Sequence, residues 1–200
     1  MTQLLEVLND FSKMVENGDC IDVIYLDFSK AFDTVPHQRL LSKLKAYGIQ
    51  NNMLSWIESF LSERKQRVRV NTAYSDYAPV TSGIPQGSIL GPLLFIIFIN
   101  DLPNDTSCPC KIFADDTKLY NSDKNHTLLQ KDLFTFLKWS ETWLLKFNKS
   151  KCSVLHMGKQ NMKQKYFMDS GLSEELKSID SEKDVGVTFS NDLTFKRHIN

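Results

Sequence analysis

No run of apolar residues in this 200-residue chain is long enough to cross a membrane. The longest, Ile89–Ile99, contains Gly91 and Pro92 and falls well short of the ~20 residues that a spanning helix needs. The N-terminus lacks a basic stretch ahead of its leucines and carries Glu6 and Asp10 instead, so it reads as no secretory signal. Neither charge is in excess, since 24 Lys and Arg meet 24 Asp and Glu. A polycationic tail is thereby excluded, and any hold on nucleic acid must come from local patches. Cysteine is scarce. Of Cys20, Cys108, Cys110 and Cys152 only Cys108 and Cys110 are close, without the spacing of a zinc pair. His37, His126, His156 and His198 are scattered. Four reduced thiols in an intracellular, non-secreted chain are expected. Repeats and low-complexity linkers are also lacking. An apolar fraction of 42% with 24% charge suits a globular domain, or one and a partial second, that is large enough for a real core.

What is present is a clear alternation of periods. Leu4, Leu5, Leu8, Phe11 and Val15 recur as on a helix. Residues 21–26, interrupted only by Asp22, read as a central strand covered on both faces. Pro36 opens a helix through Leu40, Leu41, Leu44 and Tyr47, and Gly48 stands where helices end. A second helix spans about 52–62. Val68 and Val70 alternate with Arg67 and Arg69, as in a strand with one solvated face. Leu90 to Asn100 reads as a buried helix, and 126–147 as the longest amphipathic one. Strands are expected at 152–157 and 185–189. This order suggests an α+β fold whose antiparallel sheet is of the split βαβ, ferredoxin- or RRM-like kind, with packing helices.

The apolar runs KIFA and TKLY flank Asp115 and Asp116 as a tight hairpin, with the acidic pair at its tip. Adjacent like charges repel unless a cation lies between them. Asp27 ends an almost wholly apolar strand. A strand-end carboxylate beside a two-carboxylate hairpin is an all-oxygen site, which suits Mg²⁺ held by one or two carboxylates and substrate phosphates. Two such ions would clamp the oxygens of an in-line phosphoryl displacement.

The segments LDFSKAFDTV (26–35), SGIPQGSILGPLLF (82–95) and FADDTKLY (113–120) stand in this order and spacing. They closely resemble the first three palm motifs of reverse transcriptases, of the non-LTR, LINE-type retrotransposon branch. FNKSKC (147–152) resembles the fourth motif, and 184–199 the segment after it. The resemblance implies a right-hand polymerase palm that joins a dNTP to the 3′-hydroxyl of a DNA primer on an RNA (or DNA) template. The cofactor implied is two Mg²⁺ ions, with Mn²⁺ a substitute, and no membrane partner is implied.

By position, the resemblance makes Asp27, Asp115 and Asp116 the catalytic carboxylates and metal ligands, with the carbonyl of Phe28 completing one ion's shell. Phe32 resembles the ring that excludes a 2′-hydroxyl, the group that separates ribo- from deoxyribonucleotides. Gly83, Gln86 and Gly87 would hold the nucleotide and the template base. Lys151 matches a lysine that protonates pyrophosphate or offsets its charge. Asp33 is expected to cap the helix that follows it. Two basic clusters, Arg64, Lys65, Arg67 and Arg69, and a lysine-rich stretch including Lys146 and Lys149, read as contacts to a polyanion.

Relatives carry basic fingers motifs ahead of the first palm motif, whereas Lys13 is the only base among residues 1–20. The expectation is a palm-centred fragment: residual fingers or linker helix at 1–20, palm at 21–157, and the end of the palm with the start of the thumb at 158–200. Fingers are then largely missing and the thumb truncated. On that reading the chain alone extends no primer measurably, and an inactive or domesticated nucleic-acid-binding or scaffold module is the alternative.

Overall fold

The computed structural model describes residues 2–194. The last part of the 184–199 segment, and of the 158–200 stretch, lies outside them. In chain order the elements are α1 (Thr2–Glu16), β1 (Ile21–Leu26), α2 (Ala31–Thr34), α3 (His37–Ala46), α4 (Asn51–Leu61), β2 (Lys65–Gln66), β3 (Arg69–Val70), β4 (Ala73–Tyr74), β5 (Ala78–Pro79), α5 (Leu90–Ile99), β6 (Cys110–Phe113), β7 (Asp116–Ser122), α6 (His126–Trp143), β8 (Ser153–Met157), β9 (Lys177–Ile179), β10 (Ser181–Asp184) and β11 (Val187–Ser190). They form two compact units, Met1–Phe28 with Leu102–Glu141 and Lys146–Asn200, and Ser29–Asp101 with Thr142–Leu145.

The first unit is built on a five-stranded sheet in the order β6-β7-β1-β8-β9. β1 is central and antiparallel to both β7 and β8, while β9 joins β8 in parallel. Among the first four strands the order is that of a split βαβ sheet. β9, with no alternating pattern, is an addition the sequence did not suggest. The alternate residues Ile21 and Val23 enter a core with Val7, Phe11, Tyr120, Leu155, Met157 and Phe189. Phe11 meets Tyr120 edge to face at 5.1 Å. α1 thus turns Val7 and Phe11 inward, while Leu5 and Val15 of the expected stripe are 62% and 43% exposed. The even residues of β1 are buried as well, and one of them is Asp22. Its Oδ1 faces His156 Nδ1 at 2.7 Å and accepts from Asn161 at 2.8 Å, and its Oδ2 accepts from the Tyr166 hydroxyl at 2.6 Å. A carboxylate can lie at the centre of a sheet only when its lone pairs are so used.

α6 stops at Trp143, four positions before the predicted end, because Leu144 takes φ 57 in the left-handed region. All four cysteines are free. Burial pushes the Cys108 and Cys110 thiols up to about 12 and Cys152 to about 11, which keeps them protonated.

In the second unit α3 packs on α4 and α5, and Leu40, Leu44, Ile57, Leu61, Leu94 and Phe98 of these helices are buried. Gly48, at φ 89, ends α3 as expected, and the Ile49 amide returns to the Leu44 carbonyl at 3.0 Å. Lys43 is buried, ion-paired with Asp101 and 3.9 Å from the Trp143 ring centre. Burial brings its amine down to about 8, against the pull of Asp101. α5 is buried as expected along one side, at Leu94, Phe95, Phe98 and Ile99, but Leu93 and Ile96 on the other are 51% and 52% exposed.

Among the described residues, no helix is long and apolar enough to cross a membrane.

Candidate functional site

β1 ends with Leu26 opposite Thr117 of β7. One step further in this register sets Asp27 beside Asp116. Tyr25 opposes Lys118. Opposed residues of an antiparallel pair share a face, as do alternate residues of one strand, so Tyr25, Asp27, Asp116 and Lys118 gather on one side. Glu182, Lys183 and Asp184 of β10 complete the wall of a cleft of about 300 Å³, which Lys151 also lines. Lys151 Nζ lies 3.3 Å from Asp27 Oδ2. The Asn148 amide donates to the Asp27 carbonyl at 2.7 Å, which ties the 147–151 turn to the end of β1.

The cleft is crowded with negative charge. Partial burial, and then the charges of Asp115, Asp184 and Asp27, raise the Asp116 carboxyl above its ordinary value, with Lys118 pulling the other way. Burial likewise raises Glu182, to which Asp184 and Asp116 add. Burial, then Asp184 and Glu182, hold the Tyr25 phenol well above its usual range, so it remains an O–H donor. Lys118 and Asp184 form an ion pair whose side chains are only 3% and 4% exposed.

Two buried polar atoms on this side, Tyr25 Oη and Asp27 Oδ1, have no hydrogen-bond partner among the described residues. An orphaned buried polar atom costs about 1–3 kcal/mol. Two in one cleft mark a place where a ligand would supply what the chain does not. No three His, Cys, Asp or Glu side chains among the described residues are grouped so as to hold an ion unaided. Mg²⁺ asks for less, one or two carboxylates with phosphate oxygens and water. The neighbouring Asp27 and Asp116, with the unused Asp27 Oδ1, fit that demand.

Asp115 does not line the cleft. The pair Phe113 and Asp116 closes the hairpin, so the loop is Ala114–Asp115 and Asp116 belongs to β7. The expected tip at Asp115–Asp116 is therefore one residue too late. The left-handed position falls on Ala114, φ 53. Phe28 is buried, bridged to Phe147 and stacked on its ring at 4.6 Å. Lys146 and Lys149 lie on another groove of the same unit, with Lys149 ion-paired to Glu174.

In the second unit α2 and the 82–87 loop hold each other. Phe32 stacks on Phe95 at 4.5 Å, and its carbonyl accepts from the Ile84 amide at 2.7 Å. Asp33 does not cap α3; its carboxylate accepts from Gln86 Nε2 at 3.0 Å, and Pro36 occupies the cap position without a side-chain bond. Gly87 takes φ 81. Gly83 takes φ 85, and a Cβ there would stand 2.6 Å from the Asp33 carbonyl oxygen. Gly83→Ala is expected to destabilise the chain by about 2 kcal/mol or more, from left-handed strain and that clash. Urea denaturation checks this, and an unchanged midpoint would contradict it.

Arg64 is committed inward, donating to the Gly83 carbonyl at 2.6 Å and to the Leu61 carbonyl at 3.0 Å. Its basic neighbours Lys65, Arg67 and Arg69 are exposed. Sequence reasoning missed Glu182, Asp184 and Lys118. Their only signal was charge inside short strand-like runs, which is also the signature of a solvated edge.

The chain matches the family model of reverse transcriptase (RNA-dependent DNA polymerase) over residues 3–184. It is 31% identical to the RNA-directed DNA polymerase from mobile element jockey of Drosophila melanogaster, over 98% of this chain and 22% of that protein. It is 34% identical to a probable RNA-directed DNA polymerase from transposon BS of the same fly, over 68% of this chain and 16% of that one. It thus spans about a fifth of the length of these relatives. Among solved structures it resembles telomerase from Candida tropicalis in complex with a TWJ fragment of telomeric RNA, at 11% identity and TM-score 0.66, covering 98% of this chain and 33% of that one. The apo telomerase of the same yeast, truncated from its C-terminal domain, gives TM-score 0.62 at 13% identity over 96% and 38%. The likeness to telomerase is one of fold. Together with the ordered motifs and the match across almost the whole chain, it leaves one conclusion: this chain belongs to the reverse transcriptase family, in its non-LTR, LINE-type branch.

Proposed function

We propose that the chain is the palm of an RNA-directed DNA polymerase, with the cleft between β1, β7 and β10 as the place of nucleotidyl transfer. The observation that carries this reading is the neighbouring Asp27 and Asp116 in a cleft where Tyr25 and Asp27 each leave a buried polar atom unpartnered. In the reaction the primer's 3′-oxygen bonds to the α-phosphorus of a dNTP, and the α–β bridging bond breaks to release pyrophosphate. A pair of Mg²⁺ ions, when bound, neutralises the phosphates and favours attack by the 3′-oxygen.

Asp27 and Asp116 would hold those ions. Asp115, one residue along the hairpin, adds negative charge that favours them, as its effect on Asp116 indicates. Lys151, beside Asp27, would offset the charge of the leaving pyrophosphate or give it a proton. Lys118 and Asp184 neutralise each other at the back of the cleft, which keeps Asp184 from competing as a free charge. On the family's pattern Phe32, Gly83, Gln86 and Gly87 hold the incoming nucleotide and the template base. The Asp33–Gln86 bond would keep that amide oriented.

The test is primer extension on an annealed RNA template, in Mg²⁺ and then Mn²⁺, by a polymerase of the relatives' length carrying this segment. Extension that disappears in Asp116→Asn supports the reading. Extension that survives this change unaltered places the chemistry elsewhere.

A further inference from the structure

The segment from Lys65 to Pro79 is a β-ribbon with no core beneath it, every residue of it exposed. β2 pairs with β5 at its base and β3 with β4 at its end, where Asn71 turns the chain at φ 53. Cross-links hold its shape. The Val68 amide donates to Ser75 Oγ and the Ser75 amide to the Val68 carbonyl, both at 2.9 Å. A two-stranded ribbon without an apolar face to bury is marginal in water. The expected alternation of buried Val68 and Val70 is overturned here, for they are 64% and 65% exposed.

What the ribbon displays is aromatic and cationic. Tyr74 and Tyr77 are 50% and 62% exposed. The Arg67 guanidinium lies over both rings, 4.0 Å from the Tyr74 centre and 4.9 Å from that of Tyr77. Arg69 lies 5.5 Å from Tyr74 and is steadied by a bond from Nε to the Asn71 carbonyl at 2.9 Å. Lys65, Arg67 and Arg69 face one carboxylate in the segment, Asp76. At the base, Lys65, Gln66 and Pro79 pass into a cleft of about 870 Å³ that Lys30 and Arg64 also line.

We infer that this ribbon binds a single-stranded polynucleotide, with Tyr74, Tyr77 and the Arg67 guanidinium as stacking platforms and Lys65 and Arg69 as phosphate contacts. Aromatic rings and guanidinium groups standing in solvent take unstacked bases, whereas a paired duplex hides its base faces. Cations interleaved with the rings follow the backbone of such a strand. An apolar protein partner would leave three cations unmatched, and an acidic one would leave the rings unused. No residue of the ribbon lines the carboxylate cleft, so the inference stands or falls apart from catalysis.

Fluorescence anisotropy of the 200-residue chain with a labelled 12-mer tests it, using the RNA, the DNA of the same sequence and the RNA duplex across a salt series. The single strand is expected to bind at least about tenfold more tightly than the duplex, and the RNA-to-DNA ratio tells which strand the ribbon serves. Tyr74→Ala with Tyr77→Ala should weaken binding by about tenfold or more at an unchanged salt slope, and the two Phe replacements should restore it. Arg69→Ala should reduce that slope by about one. Equal binding of duplex and single strand, or a Kd of the double alanine variant within twofold of the unaltered chain, would overturn the inference.

Discussion

Asp27→Asn is expected to cut primer extension by about 10³-fold or more, on the order of 4 kcal/mol of transition-state stabilisation, in a polymerase of the relatives' length carrying this segment. The same change should make the 200-residue chain more stable in EDTA, not less. Asp27 is one of the charges that raise the Asp116 carboxyl, and in the absence of a cation that repulsion opposes folding. Asp116 and Glu182 are both raised above their ordinary 3.8 and 4.5. Raised acids bind protons more readily folded than unfolded. Their contribution to stability is therefore complete below those ordinary values and is lost as the pH climbs through the raised ones. The advantage of Asp27→Asn in thermal unfolding should accordingly be largest near neutrality and shrink as the pH is lowered towards 4. Added Mg²⁺ should reverse the order, since a cation bound by the folded state alone stabilises it by mass action. A variant less stable than the unaltered chain in EDTA at pH 7 would show that Asp27 is held by contacts rather than poised for a cation.

The second large effect falls on Lys118. Its side chain and that of Asp184 are almost wholly buried against each other. Lys118→Met would strand the Asp184 carboxylate beside Glu182 and Asp116. Removing one partner of a buried ion pair costs about 3–5 kcal/mol, whereas replacing both by apolar groups is often close to neutral. Urea denaturation should show a large loss for Lys118→Met and recovery of most of it in Lys118→Met with Asp184→Leu. A single variant within ~1 kcal/mol of the unaltered chain would mean that the pair carries little.

The parts of this molecule legible in its sequence are those where a local pattern and a distant demand coincide. β1 could be read because its apolar run is nearly unbroken, and Asp27 because it ends that run. The lone carboxylate inside the run, Asp22, was read only as an interruption, and its buried partners were not foreseen. His156, Asn161 and Tyr166 come from far along the chain and carry no shared pattern. The outer side of α5 was misjudged because a helix apolar on every side has no period from which to tell inside from outside, and Leu93 and Ile96 took the outside. Val68 and Val70 failed for the opposite reason: their alternation implied a floor that the fold does not provide. The hairpin loop was shifted because left-handed backbone ordinarily selects Gly or Asn, and here it falls on Ala114. Asp184 was out of reach of any local rule, since its meaning lies wholly in Lys118.

The units are unequal in how the chain threads them, and that bears on the order in which they can form during synthesis. Residues 29–101, all but a short piece of the second unit, emerge as one continuous stretch. The central strand of the first emerges before them and must wait for 117–122 and then 153–157 to pair with it. A ribosome releasing the chain from its N-terminus therefore presents Ile21–Leu26 as an unpaired apolar strand throughout the translation of the intervening helices. Such a strand is the segment of a nascent chain most open to a chaperone or to a wrong neighbour.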